Sequence, residues 1–110
     1  MIQETISKIE ARLQASDAVK GPAREELLEL LGTLKTEVLE LSKTDAAQAR
    51  RIADLTQASA HAATGQPPSP ESLQHTLDEL ARSVEGFKGS HPQLVQIVNR
   101  IATTLANLGI

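Results

Sequence analysis

The chain has 110 residues, a net charge of −3 and no cysteine. This length allows one domain with a core of its own, and the lack of cysteine excludes disulfide and thiolate chemistry. The acidic balance excludes the wide positive field with which nucleic-acid-binding proteins attract phosphates. We therefore expect a single helical domain over residues 1–110 and no nucleic-acid partner.

The most regular feature of the sequence is a spacing of apolar residues that alternates between four and three positions. Such spacing puts the apolar side chains on one stripe of an α-helix, and that stripe must be buried against another helix. The stripes are Ile2, Ile6, Ile9, Leu13; Leu27, Leu31, Leu34, Val38, Leu41, Ile52, Leu55; Leu73, Leu77, Leu80, Val84, Phe87; and Leu94, Val98, Ile101, Leu105, Leu108. The pattern predicts an all-α fold, an antiparallel helical bundle of four helices.

Glycine and proline mark the first two helices. The first is predicted over residues 2–15 and ends before the breaker Gly21-Pro22. The second is predicted over residues 23–63, because Gly32 is the only glycine or proline within it. A helix of that size would be about 60 Å long. We interpret it as one long coiled-coil-like helix.

The last two predicted helices follow a Pro-rich linker over residues 64–70. The third helix covers residues 70–88, with Ser69 as its N-cap and Pro70 at its first position. The fourth covers residues 91–108, begins with the capping box Ser90 and Gln93, and ends at Gly109. Its broad apolar stripe suggests the centre of the bundle. The short connection favours a hairpin of these two helices over an end-to-end stack.

The second half of the long helix has few large apolar residues. Asp45 and Gln48 occupy stripe positions, and alanines supply much of the rest. Such a surface buries little area per residue, so it would make a weak contact within one chain and a plausible contact between two. The candidate interface is Asp45, Gln48, Ile52, Leu55, Ser59 and Ala62. We expect it to form a homodimer; the equally open alternative is a partly solvated helix end.

The charged residues of the long helix are best interpreted as solvated faces, although they could also meet in a pair of two copies. The acidic residues of the long helix are Glu25, Glu26, Glu29, Glu37 and Glu40, and its basic doublet is Arg50-Arg51. Either group could be a solvated face. Antiparallel pairing of two long helices would bring the acidic and basic groups towards each other.

Residues with catalytic or metal-binding potential do not form a recognisable set. His75 could share a helical face with Glu71, Asp78 and Glu79, but a stable site needs three or four converging ligands and the Glu-x-x-His motif is absent. The nucleophile elbow and the phosphate-binding glycine loops are absent too. We expect no enzymatic activity, no cofactor and no metal, and we expect His61 and His91 at the surface.

The N-terminus carries Glu4 where a secretory signal would carry basic residues, and polar residues interrupt every apolar run. Phe87 is the only aromatic residue, so the bulky aromatics of membrane-surface helices are lacking. We expect a cytoplasmic protein without a membrane partner.

Two parts of the sequence resemble a known family. They are Val84-Glu85-Gly86-Phe87-Lys88-Gly89-Ser90-His91-Pro92 with the following segment to Ile110, and the opening Ile2-Gln3-Glu4-Thr5-Ile6 with Leu13. The segments are similar to a family of small uncharacterised bacterial proteins classed as a domain of unknown function. The resemblance implies a bacterial, cytoplasmic, helical protein and supplies no active site.

These observations lead to one expected function and two rivals. We expect a non-enzymatic structural or protein-interaction protein that self-associates. The first rival is a regulatory or adaptor subunit whose exposed helical seam binds a different protein. The second is a helical ligand- or metal-binding module.

Overall fold

Five helices make up the part of the chain that the structure describes. The computed structural model describes residues 2–17, 19, 21–65 and 69–108, which form five α-helices and no β-strand. The helices are α1 (Ile2–Ala15), α2 (Gly21–Ser42), α3 (Ala46–Thr64), α4 (Pro70–Glu85) and α5 (Pro92–Leu108). The all-α class is confirmed, with one helix more than predicted. Residues 66–68 of the predicted linker and the predicted stop at Gly109 lie outside the described residues.

The prediction of one long helix over residues 23–63 is wrong. α2 ends at Ser42, and the N–H groups of Thr44 and Asp45 both donate to the Leu41 carbonyl, at 3.0 and 2.8 Å. Asp45 then becomes the N-cap of α3, because its Oδ1 accepts a hydrogen bond from the Gln48 N–H at 3.1 Å. The molecule is 37 Å in its longest dimension, too short for the predicted helix.

The turn between α1 and α2 sets these two helices antiparallel. Gly21 has a φ of +56°, a left-handed conformation that a side chain would strain. Arg24 Nη2 donates to the Ser16 carbonyl at 2.9 Å, which ties the start of α2 to the end of α1. Further along, Lys35 Nζ lies 3.2 Å from Glu10 Oε1. The middles of the two helices therefore lie side by side.

The small-residue helix α3 lies at the centre of the fold. It packs against each of the other four helices, and its contact with α4 is the most extensive in the described chain. Small side chains let neighbouring backbones approach closely, so α3 can have neighbours on several sides. The buried residues of α3 are Ala49, Ile52, Ala53, Thr56, Ser59, Ala60, Ala62, Ala63 and Thr64. The expectation that the last helix is central is therefore wrong.

α4 and α5 form the predicted hairpin. They pack against each other, and both also contact α3. α4 ends at Glu85, three residues earlier than predicted, and α5 begins at Pro92. The His91 carbonyl accepts from the Val95 N–H at 3.4 Å, so His91 takes the capping place predicted for Ser90. α5 completes the core by packing against α2.

Candidate interaction surface

The predicted interface residues do not form an exposed seam. Ile52 and Ser59 are fully buried, and Ala62 is 8 % exposed. Leu55 is half-buried and packs against the core of its own chain. Because these side chains already contact this chain's own helices, the argument that α3 lacks intramolecular partners is wrong.

The polar residues buried in α3 satisfy their hydroxyl groups within the helix. Thr56 Oγ1 donates to the Ile52 carbonyl at 2.8 Å, and Ser59 Oγ donates to the Leu55 carbonyl at 2.9 Å. A buried hydroxyl without such a partner would destabilise the fold. These bonds therefore allow small polar side chains in a core, a possibility that apolar periodicity does not reveal.

An open apolar cavity of about 440 Å³ lies where α1, α2 and α3 meet. We call it the notch. Its lining residues are Ile2, Gln3, Leu39, Ser42, Ala46, Ala47 and Arg50. Ile2 and Leu39 are half-buried, whereas Ala46, Ala47 and Arg50 are exposed. The notch is therefore a recess that the described part of the chain leaves uncovered, and it could receive an apolar side chain.

The notch continues into the outer face of α2, which we define by Leu28, Gly32, Thr36 and Leu39. Their spacing of four, four and three residues places them on one side of the helix. Leu28 and Leu39 are half-buried, and Gly32 and Thr36 are exposed. A Cβ atom at Gly32 would meet nothing within 4 Å. Since glycine in a helix interior is about 1 kcal/mol less favourable than alanine, the described fold gives no reason for this glycine.

Two open cavities lie between α3 and α4, and together we call them the cleft. One cavity of about 700 Å³ includes Gln57 and His61 of α3 with Ser72 and Thr76 of α4. The other, of about 530 Å³, includes residues of the start of α3 and the end of α4. These pairings show that α3 and α4 run in opposite directions.

The second cavity of the cleft contains two arginines without partners. Arg51 and Arg82 form no ion pair or hydrogen bond within the described chain. The two carboxylates that line the same cavity are already engaged. Asp45 caps α3, and Glu79 Oε1 lies 3.0 Å from His75 Nε2. The formal charges of these two arginines and two carboxylates sum to zero, and of the four groups the arginines lack a partner within the described chain.

The three histidines lie on different elements, namely α3, α4 and the turn before α5. His75 is 74 % exposed, and His61 is exposed in the cleft. The ring of His91 packs edge-on against Phe87, with ring centroids 6.0 Å apart. Across the described ranges, no group of three or more His, Asp or Glu side chains is arranged to hold a metal ion.

These features define a small all-α protein with surface recesses and a central small-residue helix. Within residues 2–17, 21–65 and 69–108, no helix is long and apolar enough to cross a membrane. The chain matches the family model of a domain of unknown function, DUF4404, over residues 27–110. It therefore belongs to that family.

The match covers most of the resemblance seen in the sequence. The segment from Val84 to Ile110 lies within it, whereas the opening Ile2–Ile6 and Leu13 precede it. No curated protein and no solved structure matches the chain.

Proposed function

We propose that this protein is a non-enzymatic, cytoplasmic interaction protein that self-associates as a homodimer of antiparallel helical bundles. The observation that carries the proposal is the notch, whose wall includes Ile2 and Leu39. Leu39 and Leu28 are both half-buried, but only Leu28 packs against the described core. Covering such apolar surface is the main driving force of association.

The rest of the chain supports an interaction role over a catalytic one. The cleft cavities are open, and two of their hydroxyl groups, those of Thr76 and Ser83, donate to backbone carbonyls of α4. Catalysis requires a nucleophile, an acid or a base held near a second group that activates it. The support for a cytoplasmic location is the absence of cysteine.

The mass of the protein in solution tests self-association. We expect light scattering during gel filtration to give twice the mass of one 11.8 kDa chain at tens of micromolar. Leu39→Glu should return the mass to that of a monomer, because it places a carboxylate in the apolar wall. Ala58→Glu, at an exposed position of α3, is the matched control. A wild-type monomer over this concentration range would contradict the proposal.

The second candidate function is an adaptor that binds a different protein. The observation that favours it is the pair of unpartnered arginines, Arg51 and Arg82, because exposed cations near an aromatic side chain suit an acidic partner. This candidate predicts a monomer that retains one acidic protein in affinity capture from its host. Arg51→Glu with Arg82→Glu should abolish that retention, and retention by the double variant would argue against the cleft as its site.

A further inference from the structure

The break between α2 and α3 consists of Lys43, Thr44 and Asp45, which we call the hinge. We propose that the hinge can straighten, so that α2 and α3 become one continuous helix and two copies exchange their first two helices. In the exchanged dimer, α1 and α2 of each copy pack on α3, α4 and α5 of the other. This state goes beyond the proposed function, because it does not use the notch.

The backbone of the hinge departs little from a helix. The Asp45 N–H donates to the Leu41 carbonyl at 2.8 Å, the bond to the fourth preceding residue that defines an α-helix. The clearest departure is Asp45 itself, with a φ of −148° and a ψ of 77°. The hinge contains no glycine or proline, and none of its residues has a positive φ. A rotation centred on Asp45 therefore joins the two helices.

The apolar stripe passes through the hinge without a change of phase. Leu41 and Ile52 are both buried, and their separation of about three helical turns would put them on one side of a continuous helix. Residues 41–52 include three alanines, the best helix formers, and no glycine or proline. The same apolar residues therefore suit the bent and the straight conformation.

Straightening separates helices that pack together in the described chain. α3 packs against α1 and α2, and α5 packs against α2. A single straightened chain would therefore expose the buried stripe of α2 to water, at a large cost in free energy. A second copy offers the same surfaces, so mutual exchange restores the packing within each bundle. Such an exchange is reciprocal and closes as a two-fold dimer.

Asp45 stabilises the bent conformation. Its Oδ1 accepts from the Gln48 N–H at 3.1 Å, and this capping bond requires Asp45 to lie just outside the helix. In a continuous helix, the Gln48 N–H donates to the Thr44 carbonyl and the capping bond is lost. Aspartate is also a poorer residue than alanine inside a helix. Its removal therefore shifts the balance towards the exchanged dimer.

Refolding at high protein concentration tests the exchange. The background is Leu39→Glu, which we expect to remove association through the notch. After refolding from urea at hundreds of micromolar, Asp45→Ala should raise the dimerisation constant by about tenfold or more, because both copies lose the capping bond. Asp54→Ala, at an exposed position of α3, is the matched control. Gel filtration with light scattering measures both, and equal dimerisation of the two variants would overturn the proposal.

Proline at position 46 discriminates between the two conformations. Ala46 is exposed and is the first residue of α3, a position that suits proline. In a continuous helix, the same proline would remove a hydrogen bond and clash with the Ser42 carbonyl. Ala46→Pro should therefore return the Asp45→Ala variant to a monomer, whereas Ala46→Ser should leave it dimeric. A dimer that persists with the proline would contradict a continuous helix.

A distance within one chain shows whether the helix is continuous. Glu25 and His61 are exposed, and their separation along a continuous helix would be about 54 Å. The bent chain is only 37 Å in its longest dimension. Spin labels at Glu25→Cys and His61→Cys, in Asp45→Ala chains diluted with unlabelled chains, should give the longer distance in the dimer. A dimer with only the shorter distance would be a pair of bent chains and would overturn the exchange. A wild-type monomer would contradict only the proposed function.

Discussion

Single residues determine where the helices of this chain begin and end. Asp45 fits the apolar stripe poorly, and in the structure its carboxylate caps α3 at the break after α2. The sequence contains the signal for that break in Lys43-Thr44-Asp45, but no glycine or proline accompanies it. A stripe that continues in phase on both sides of a cap is read as one helix, which is why the break was not predicted.

Removal of the cap should destabilise the protein. We expect Asp45→Ala to lower the free energy of unfolding by about 1 kcal/mol, because the Gln48 N–H loses its acceptor. Asp54→Ala, at an exposed position of the same helix, should change it by less than about 0.5 kcal/mol. Urea unfolding followed by circular dichroism measures both. Equal midpoints would show that the capping bond contributes nothing.

A charge in the core should be far more damaging than the loss of one at the surface. Val98 in α5 is fully buried, so Val98→Asp should cost several kcal/mol, out of a total stability of about 5–15 kcal/mol for a domain. Arg82 is exposed and unpartnered, and Arg82→Ala should cost no more than about 0.5 kcal/mol. Comparable melting temperatures for the two variants would contradict this assignment of the α5 core face.

At the scale of elements, α3 shows that a helix can be deeply buried although most of its side chains are small. The bounds of α1 were predictable, since its stripe of large residues starts at Ile2 and ends before the breaker Gly21-Pro22. The central position of α3 was not predictable, because apolar periodicity is read from large apolar side chains. Most of the buried residues of α3 are alanine, serine and threonine. The notch and the outer face of α2 were also missed. They depend on the angle between α2 and α3, which the break at residues 43–45 creates.

Enlarging a buried alanine of α3 should show how closely its neighbours approach. We expect Ala53→Leu to destabilise the protein by about 1–3 kcal/mol, because Ala53 is fully buried where extra atoms force its neighbours apart. Ala58→Leu makes the same change at an exposed position of the same helix, and it should cost less than about 0.5 kcal/mol. Thermal unfolding compares the two. If Ala53→Leu were neutral, α3 would have free space around it.

At the scale of the whole molecule, the region matched to the family and the folded core do not coincide. The match begins at residue 27, after α1. Ile6, Ile9 and Leu13 of α1 nevertheless belong to the same buried core as the residues of α5. Arg12 Nε also donates to Thr64 Oγ1 of α3 at 2.8 Å. α1 is therefore part of the structural unit, and a substitution that destabilises α1 should also destabilise α5.

Shortening one side chain of α1 tests this continuity. We expect Ile9→Ala to lower the free energy of unfolding by about 2–5 kcal/mol and to lower hydrogen-exchange protection in α5 by the same amount. Lys8→Ala, on the exposed side of α1, is the control. Exchange in α5 that stays as slow as in the wild type would mean that α1 unfolds independently of the rest.

The single aromatic side chain has an optical consequence. The chain has no Trp or Tyr, and its one Phe is half-buried in the turn between α4 and α5. The protein is therefore almost transparent in the near ultraviolet and has no tryptophan emission of its own. When this protein meets another, any indole fluorescence comes from the other molecule, and its colour and quenching report that molecule's surroundings without a label. A complex of two copies stays dark, so indole emission identifies a foreign partner that contains tryptophan.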